Sequence, residues 1–318
     1  MLKILLLDDY QGRAREWADW SSLVDAQVDV LEYALPDDTA RAARFAGYQV
    51  IVAMRERTPF PRALLEALPD LKLLVTTGMR NASIDMAACA RLGITVCGAP
   101  GSKASEGATA ELAWALMLAL AKRLPQSRQA LLEGRWQPEL TQSLAGRTLG
   151  LVGLGKLGQR MALIGQAMGM EVIAWSPRLT PERAAAAGVQ AVSKAELLRR
   201  ADWLSLHLVL SESTLHLIGA DDLAAMQPHA VLINTSRAGL VAPGALLQAL
   251  QAGQIAGAGI DVFDDEPATH DPLLALPQVL ATPHLGYVTD DNFRAFYAHA
   301  IEAVAAWRAG APIRVLNA

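Results

Sequence analysis

Gly150-Leu151-Val152-Gly153-Leu154-Gly155-Lys156-Leu157-Gly158 is the stretch that decides the fold of this chain. A Gly-x-Gly-x-x-Gly pattern closes an apolar run and opens an amphipathic one, so it sits between a strand and a helix. In that setting the first glycine permits a tight turn, the second lets backbone approach a pyrophosphate, and the third lets helix and strand pack closely. The helix N-terminus adds unsatisfied N–H groups and a partial positive charge. Gly153, Gly155, Lys156, Leu157 and Gly158 are therefore expected to cradle a dinucleotide, the plainer alternative being an ordinary strand-turn-helix junction.

The end of the next strand bears on which dinucleotide. An acid about 20 residues on would accept hydrogen bonds from an adenosine ribose and would repel a 2′-phosphate. Here the apolar run ending at Trp175 passes into Ser176-Pro177-Arg178 and offers no acid. A guanidinium at Arg178 can meet a phosphate bidentately. Ser176 and Arg178 thus favour NADP(H) over NAD(H), unless Arg178 is a solvated loop cation.

Working outward, short apolar runs bounded by turn residues alternate with longer segments of helical period, the pattern of parallel sheets wrapped by helices. Strands are expected at 3–7, 28–31, 50–52, 73–76 and 95–97, with helices at 63–68 and 85–92 between them. Gly98-Ala99-Pro100-Gly101 breaks the series. Segment 106–123 then reads as a helix apolar on most of its surface, suited to a domain junction or a subunit interface. A second series follows, with strands at 148–152, 171–175, 190–192, 203–206, 231–234, 257–260 and 279–281. Helical segments at 157–168, 194–199, 220–226 and 243–252 lie between them. The final helix, 290–308, has no strand of its own domain left to cover, so it is expected to pack back on the N-terminal domain. The expected fold is α/β with two doubly wound parallel-sheet domains. A Rossmann cofactor domain (99–286) is inserted into a flavodoxin-like substrate domain (1–98 and 287–318), and binding would close the cleft between them.

Composition bounds the function. With 318 residues, 52% hydrophobic and 19% charged, the chain can bury real cores and is not disordered. Lys and Arg (28) against Asp and Glu (32) give net charge −4 with no basic run, which argues against nucleic acid. Cys89 and Cys97 are too few for a disulfide framework and fit a reducing compartment. The longest wholly apolar run, 112–121, is about half of the ~20 residues that span a bilayer, so no membrane partner is expected. The opening run meets Asp8-Asp9 with no cleavage site following, which reads as a cytoplasmic protein.

Three polar stretches follow late strands of the second series, at the edge where open α/β sheets hold ligands. They are Asn234-Thr235-Ser236-Arg237, then Asp261-Val262-Phe263-Asp264-Asp265-Glu266, then Thr282-Pro283-His284. Reduction of a 2-oxo acid delivers hydride to carbon while a proton reaches oxygen, which needs an acid titrating near neutrality, and His284 suits that. A carboxylate on the other ring nitrogen fixes the tautomer and favours the imidazolium, which Glu266 can supply. A guanidinium at Arg237 matches a carboxylate and stabilises charge growing on a carbonyl oxygen. Singly, each could equally be a surface, turn or salt-bridge residue.

Together, in this order, these motifs resemble the D-isomer-specific 2-hydroxyacid dehydrogenase family, which includes phosphoglycerate, glyoxylate and hydroxypyruvate reductases. The likeness runs through Gly78 to Asp85, the glycine turn and all three polar stretches. It implies that Arg237 holds the substrate carboxylate and carbonyl, that His284 exchanges the proton, that Glu266 orients His284, and that Asp261 meets the nicotinamide amide. It likewise puts His207, Thr235 and Ser236 among the cofactor contacts, and Met79 and Arg80 in the substrate loop. A homodimer is also implied. The chain departs from the family at Met79-Arg80-Asn81, where a second glycine is usual, and after His207, which lacks the usual proline. By default His207 reads as structural along with His216, His229, His270 and His299, and no metal site is expected. Two other readings share this fold: a formate dehydrogenase, against which Glu266 argues because that enzyme has glutamine there, and a dinucleotide-sensing corepressor, which would carry basic or disordered extensions.

Overall fold

Leu2–Leu6 (β1) is buried from Ile4 onward on both faces, as a strand must be when helices cover a parallel sheet on either side. The structure, a computed structural model, describes residues 1–317. It divides into two units, Met1–Glu106 with the chain from Val288 onward, and Gly107–Tyr287.

In the first unit β1 is joined by Ala26–Val30 (β2), Val50–Ala53 (β3), Leu73–Thr77 (β4) and Thr95–Ala99 (β5). All pairs are parallel, in the order β2-β1-β3-β4-β5, so the direction of winding reverses between β1 and β3. The helix Asp290–Arg308 covers β4 and β5 with Phe293, Phe296, Tyr297, Ala300, Ala303 and Val304 buried. Its N-cap Thr289 accepts the Asn292 N–H. This helix also explains why the first unit runs to Glu106 and not to 98. Asn292 Oδ1 accepts the Ser102 N–H at 3.0 Å and His299 Nδ1 bonds the Pro100 carbonyl at 2.7 Å, so the segment past β5 is held in this unit.

The second unit holds seven strands: Thr148–Val152 (β6), Glu171–Trp175 (β7), Gln190–Ala191 (β8), Trp203–Leu206 (β9), Val231–Asn234 (β10), Gly257–Ile260 (β11) and Val279–Ala281 (β12). They pair in parallel in the order β12-β11-β10-β9-β6-β7-β8. Strand alternation sends Val231 and Ile233 into one core and Leu232 into the other, so both faces are packed. The apolar segment expected at 106–123 is a 3-10 turn, Ala104–Gly107, then an α-helix, Ala108–Ala121, ended where Arg123 takes a left-handed φ of 49°. This helix lies on β10, β11 and the helix Lys156–Ala167. The α/β class and the two doubly wound parallel sheets are as expected from the sequence.

Because every strand of the second unit runs the same way, all its strand C-termini share one edge. That single fact gathers the turn after β6, Ser176 after β7, His207 after β9, Arg237 after β10, Asp261 after β11 and His284 after β12.

Candidate active site

The glycine turn has the close approaches its sequence calls for. Gly153 adopts φ 103°, and a Cβ there would lie 2.6 Å from the His207 carbonyl oxygen. A Cβ on Gly158 would overlap the Gly153 carbonyl oxygen, whereas nothing stands within 4 Å of where a Cβ on Gly155 would be. The helix Lys156–Ala167 begins at Gly155 with no side-chain cap, leaving its first N–H groups for a ligand. Lys156 is exposed, and Leu157 packs against the core.

The Gly153 N–H donates to the Trp175 carbonyl at 2.8 Å, which ties the turn to the end of β7. Ser176 follows there, half-buried, and Arg178 is exposed with its carbonyl accepting from the Arg183 guanidinium at 3.1 Å. On the other side of β6, His207 is half-buried and its Nε2 pairs with Ser205 Oγ at 2.8 Å. Burial lowers its pKa to about 4, so the ring is neutral at physiological pH. His207 Nδ1 and, on β10's end, Thr235 Oγ1 are buried without a partner among the described residues. Buried polar atoms of this kind are rare unless something polar meets them. Two such atoms beside an open glycine turn fit a dinucleotide.

Arg237 is set by its neighbours. Asn234 Oδ1 accepts the Ser236 N–H and Asn234 Nδ2 donates to the Arg237 carbonyl, both at 3.0 Å, while Ser236 Oγ donates to the Leu208 carbonyl at 2.7 Å. The Arg237 guanidinium donates to the Ser236 carbonyl at 2.7 Å and is half-buried.

His284 Nδ1 and Glu266 Oε2 are 2.7 Å apart, and Glu266 Oε1 accepts the Phe263 N–H at 3.0 Å. Burial pushes the Glu266 carboxyl up, but the His284 bond and charge, the Phe263 N–H and the Arg237 charge together hold it below the usual carboxylate range. Glu266 is therefore ionised at neutral pH.

His284 itself sits at φ 53°, in the left-handed region that side chains seldom adopt. Asp261 supports that conformation. It is fully buried, and Oδ1 accepts from the Thr282 hydroxyl and the Leu285 N–H at 2.6 Å each, while Oδ2 accepts the Gly286 N–H at 2.8 Å. The residues on both sides of His284 thus hang on one carboxylate. Burial raises the Asp261 pKa, and these donors together with His284 oppose the rise.

In the first unit the expected substrate loop begins at Gly78, φ 95°, with Met79 and Arg80 exposed. Beside this loop lies Arg55, which sequence reasoning did not single out. Its φ is 53°, its N–H is accepted by Thr77 Oγ1 at 2.8 Å and its carbonyl accepts from Asn81 Nδ2 at 2.6 Å. A Cβ on Gly78 would overlap its guanidinium, so glycine there is what lets Arg55 lie on the loop. The available signal was the charged run Arg55-Glu56-Arg57 closing the apolar stretch that holds β3. Among the described residues no cluster of three or more His, Cys, Asp or Glu side chains could hold a metal.

A doubly wound parallel sheet with an open glycine turn and a carboxylate-paired histidine at its carboxyl edge defines a dinucleotide-binding protein of dehydrogenase type. The profile described as D-isomer specific 2-hydroxyacid dehydrogenase, NAD binding domain, matches residues 114–286. A D-3-phosphoglycerate dehydrogenase from Methanocaldococcus jannaschii is 37% identical over 77% of this chain and 47% of its own length. A glyoxylate reductase from Thermococcus litoralis is 38% identical over 72% of each chain. The chain thus spans about half the length of the first of these relatives. A crystal structure of a phosphoglycerate oxidoreductase from Vibrio cholerae is 40% identical, with TM-score 0.92 over 98% of this chain and 100% of that one. The chain belongs to the D-isomer specific 2-hydroxyacid dehydrogenase family, and its second unit carries the family's NAD-binding domain.

Proposed function

We propose that the protein interconverts a 2-oxo acid and a D-2-hydroxy acid, with glyoxylate- and hydroxypyruvate-like acids as the substrate class. The observation that carries this reading is the 2.7 Å His284–Glu266 pair at the carboxyl edge of a nicotinamide-binding sheet. When bound, the nicotinamide supplies or accepts the hydride. Arg237 binds the substrate carboxylate and carbonyl oxygen, drawing charge toward that oxygen. His284 delivers the proton to it, and Glu266 holds Nδ1 so that Nε2 faces the substrate. Gly153, Gly155, Lys156, Leu157 and Gly158 hold the pyrophosphate. His207, Thr235 and Ser236 meet the nucleotide, and Asp261, buried beneath the His284 loop, is the family-implied partner of the nicotinamide amide. The first unit is the substrate-binding one, with Met79 and Arg80 in its substrate loop and Arg55 beside that loop.

The cofactor is NADP(H) in preference to NAD(H). Support comes from Ser176 in the place of a repelling acid and from the exposed Arg178 two residues later. The protein works as a homodimer, for which the exposed apolar side chains of segment 124–140 argue. A cytoplasmic, reducing setting is supported by Cys89 and Cys97, both buried and unbonded. No helix among the described residues is long and apolar enough to cross a membrane.

The test is a turnover screen of glyoxylate, hydroxypyruvate and phenylpyruvate with NADH and NADPH in parallel. Turnover of at least one acid is expected, and dinucleotide binding without turnover on any 2-oxo acid would favour a sensing protein instead.

A further inference from the structure

Glu266 fixes one point of the His284 imidazole, its Nδ1, at 2.7 Å. A single hydrogen bond tolerates a broad range of angles, so on its own it sets the plane of the ring only loosely. A second contact addresses that plane. The Tyr287 ring lies 5.3 Å from the imidazole, centroid to centroid, at an interplanar angle of 80°. This is the edge-to-face arrangement that aromatic rings prefer, and it is lost if either ring turns.

The backbone delivers Tyr287 rigidly. Gly286, the residue before it, gives its N–H to the buried Asp261 carboxylate at 2.8 Å, and Leu285 and Thr282 are held by the same group. The histidine and the tyrosine therefore stand on one stapled loop, with the histidine in a left-handed conformation. A ring three residues beyond the histidine is the group this loop geometry brings against the imidazole.

We propose that Tyr287 is a positioning residue for His284, its ring fixing the plane of the imidazole so that the proton on Nε2 is aimed at the substrate oxygen. This rests on the proposed reduction of 2-oxo acids. It assigns the work to the aromatic ring and not to the hydroxyl.

The experiment compares wild type with Tyr287→Phe, Tyr287→Leu and Tyr287→Ala, with nucleotide binding and far-UV circular dichroism reporting the fold. Misplacing a reacting group by about 1 Å can cost on the order of a hundredfold, so Tyr287→Ala and Tyr287→Leu should lose about ten- to a hundredfold in kcat. KM should stay nearly constant, and Tyr287→Phe should keep nearly all of the activity. Independently of any substrate, the His284 ring protons should show a ring-current displacement by NMR in wild type and Tyr287→Phe that disappears in Tyr287→Leu. Leucine variants with wild-type kcat, a phenylalanine variant as slow as the alanine one, or ring protons unmoved by Tyr287→Leu would each overturn the assignment. Wild type without turnover on any 2-oxo acid would sink the functional reading alone, because the NMR comparison still tests the contact.

Discussion

His284 and Glu266 form a pair in which each member is set by a different part of the chain, one by a strained turn after β12, the other by the Phe263 N–H after β11. His284→Ala removes the proton donor and should lower kcat by about 10² to 10⁴ while dinucleotide affinity, read by fluorescence titration, stays near wild type. Glu266 is held below the usual carboxylate range, so the stability its charge contributes is present above its ordinary pKa and is lost as pH falls through the lowered value. The stability difference between wild type and Glu266→Gln, measured by urea unfolding, should accordingly persist at neutral pH and vanish only in acid. Cofactor choice is decided at the same scale. A charge-assisted contact from Arg178 to a 2′-phosphate is worth about 1.5 to 3 kcal/mol, roughly tenfold to a hundredfold. NADPH should therefore have the higher kcat/KM, Arg178→Ala should weaken NADPH selectively, and Ser176→Asp should reverse the preference. Equal kcat/KM for the two cofactors, unchanged in Arg178→Ala, would leave NAD(H) as the better assignment. Arg237, Glu266 and His284 stood out as candidates because their order after successive strands resembles a family pattern, strand-end position alone being too common to single them out. Arg55 did not, since a charged run after a strand reads equally well as a solvated turn, and its place against Gly78 is set only by the folded chain.

At the level of elements, the strands of the second unit were legible almost to the residue because buried parallel strands are continuous apolar runs cut off by turns. β6, β9, β10 and β11 begin and end where the sequence places them. The helix Asp290–Arg308 was equally plain, with Thr289 as its cap and Arg308 in its last turn. The helices Asp38–Phe45 and Leu124–Leu132 were not legible. Phe45 is the one buried residue of the first and Ala130 of the second, so each sinks little apolar surface into its core. β2 was read two residues late, because as an edge strand it is only half-buried and its alternation is weak. The Asp261 staple joins β11 to the turn after β12, and no sequence pattern announces it. Asp261→Asn exchanges one acceptor oxygen for a donor and leaves an N–H of the loop unpaired, which costs about 1 to 3 kcal/mol. A lower urea midpoint together with a loss of about tenfold in kcat is expected, and a variant with unchanged kcat would show that the staple is not needed to hold His284.

The assembled state is a question for the whole molecule, and the surface of segment 124–140 bears on it. Leu124, Leu131, Leu132, Trp136 and Leu140 are all exposed, Trp136 by 77% and Leu140 by 94% of their full area. Single exposed apolar side chains are ordinary, but five within seventeen residues are a concentration that a contact between copies would cover. Burying each would contribute about 1.5 to 3 kcal/mol, and several together offset an association cost of roughly 4 to 15 kcal/mol. The isologous contact of two identical chains is the simplest way to cover such side chains. A charge introduced there must be desolvated on association, so Leu132→Glu combined with Trp136→Glu should turn a dimer into a monomer in sedimentation velocity at micromolar concentration. Neither residue belongs to the glycine turn or the His284 loop, so the monomeric variant should still bind dinucleotide. Wild type that sediments as a monomer, or a double variant that remains dimeric, would rule out this surface as the contact between copies.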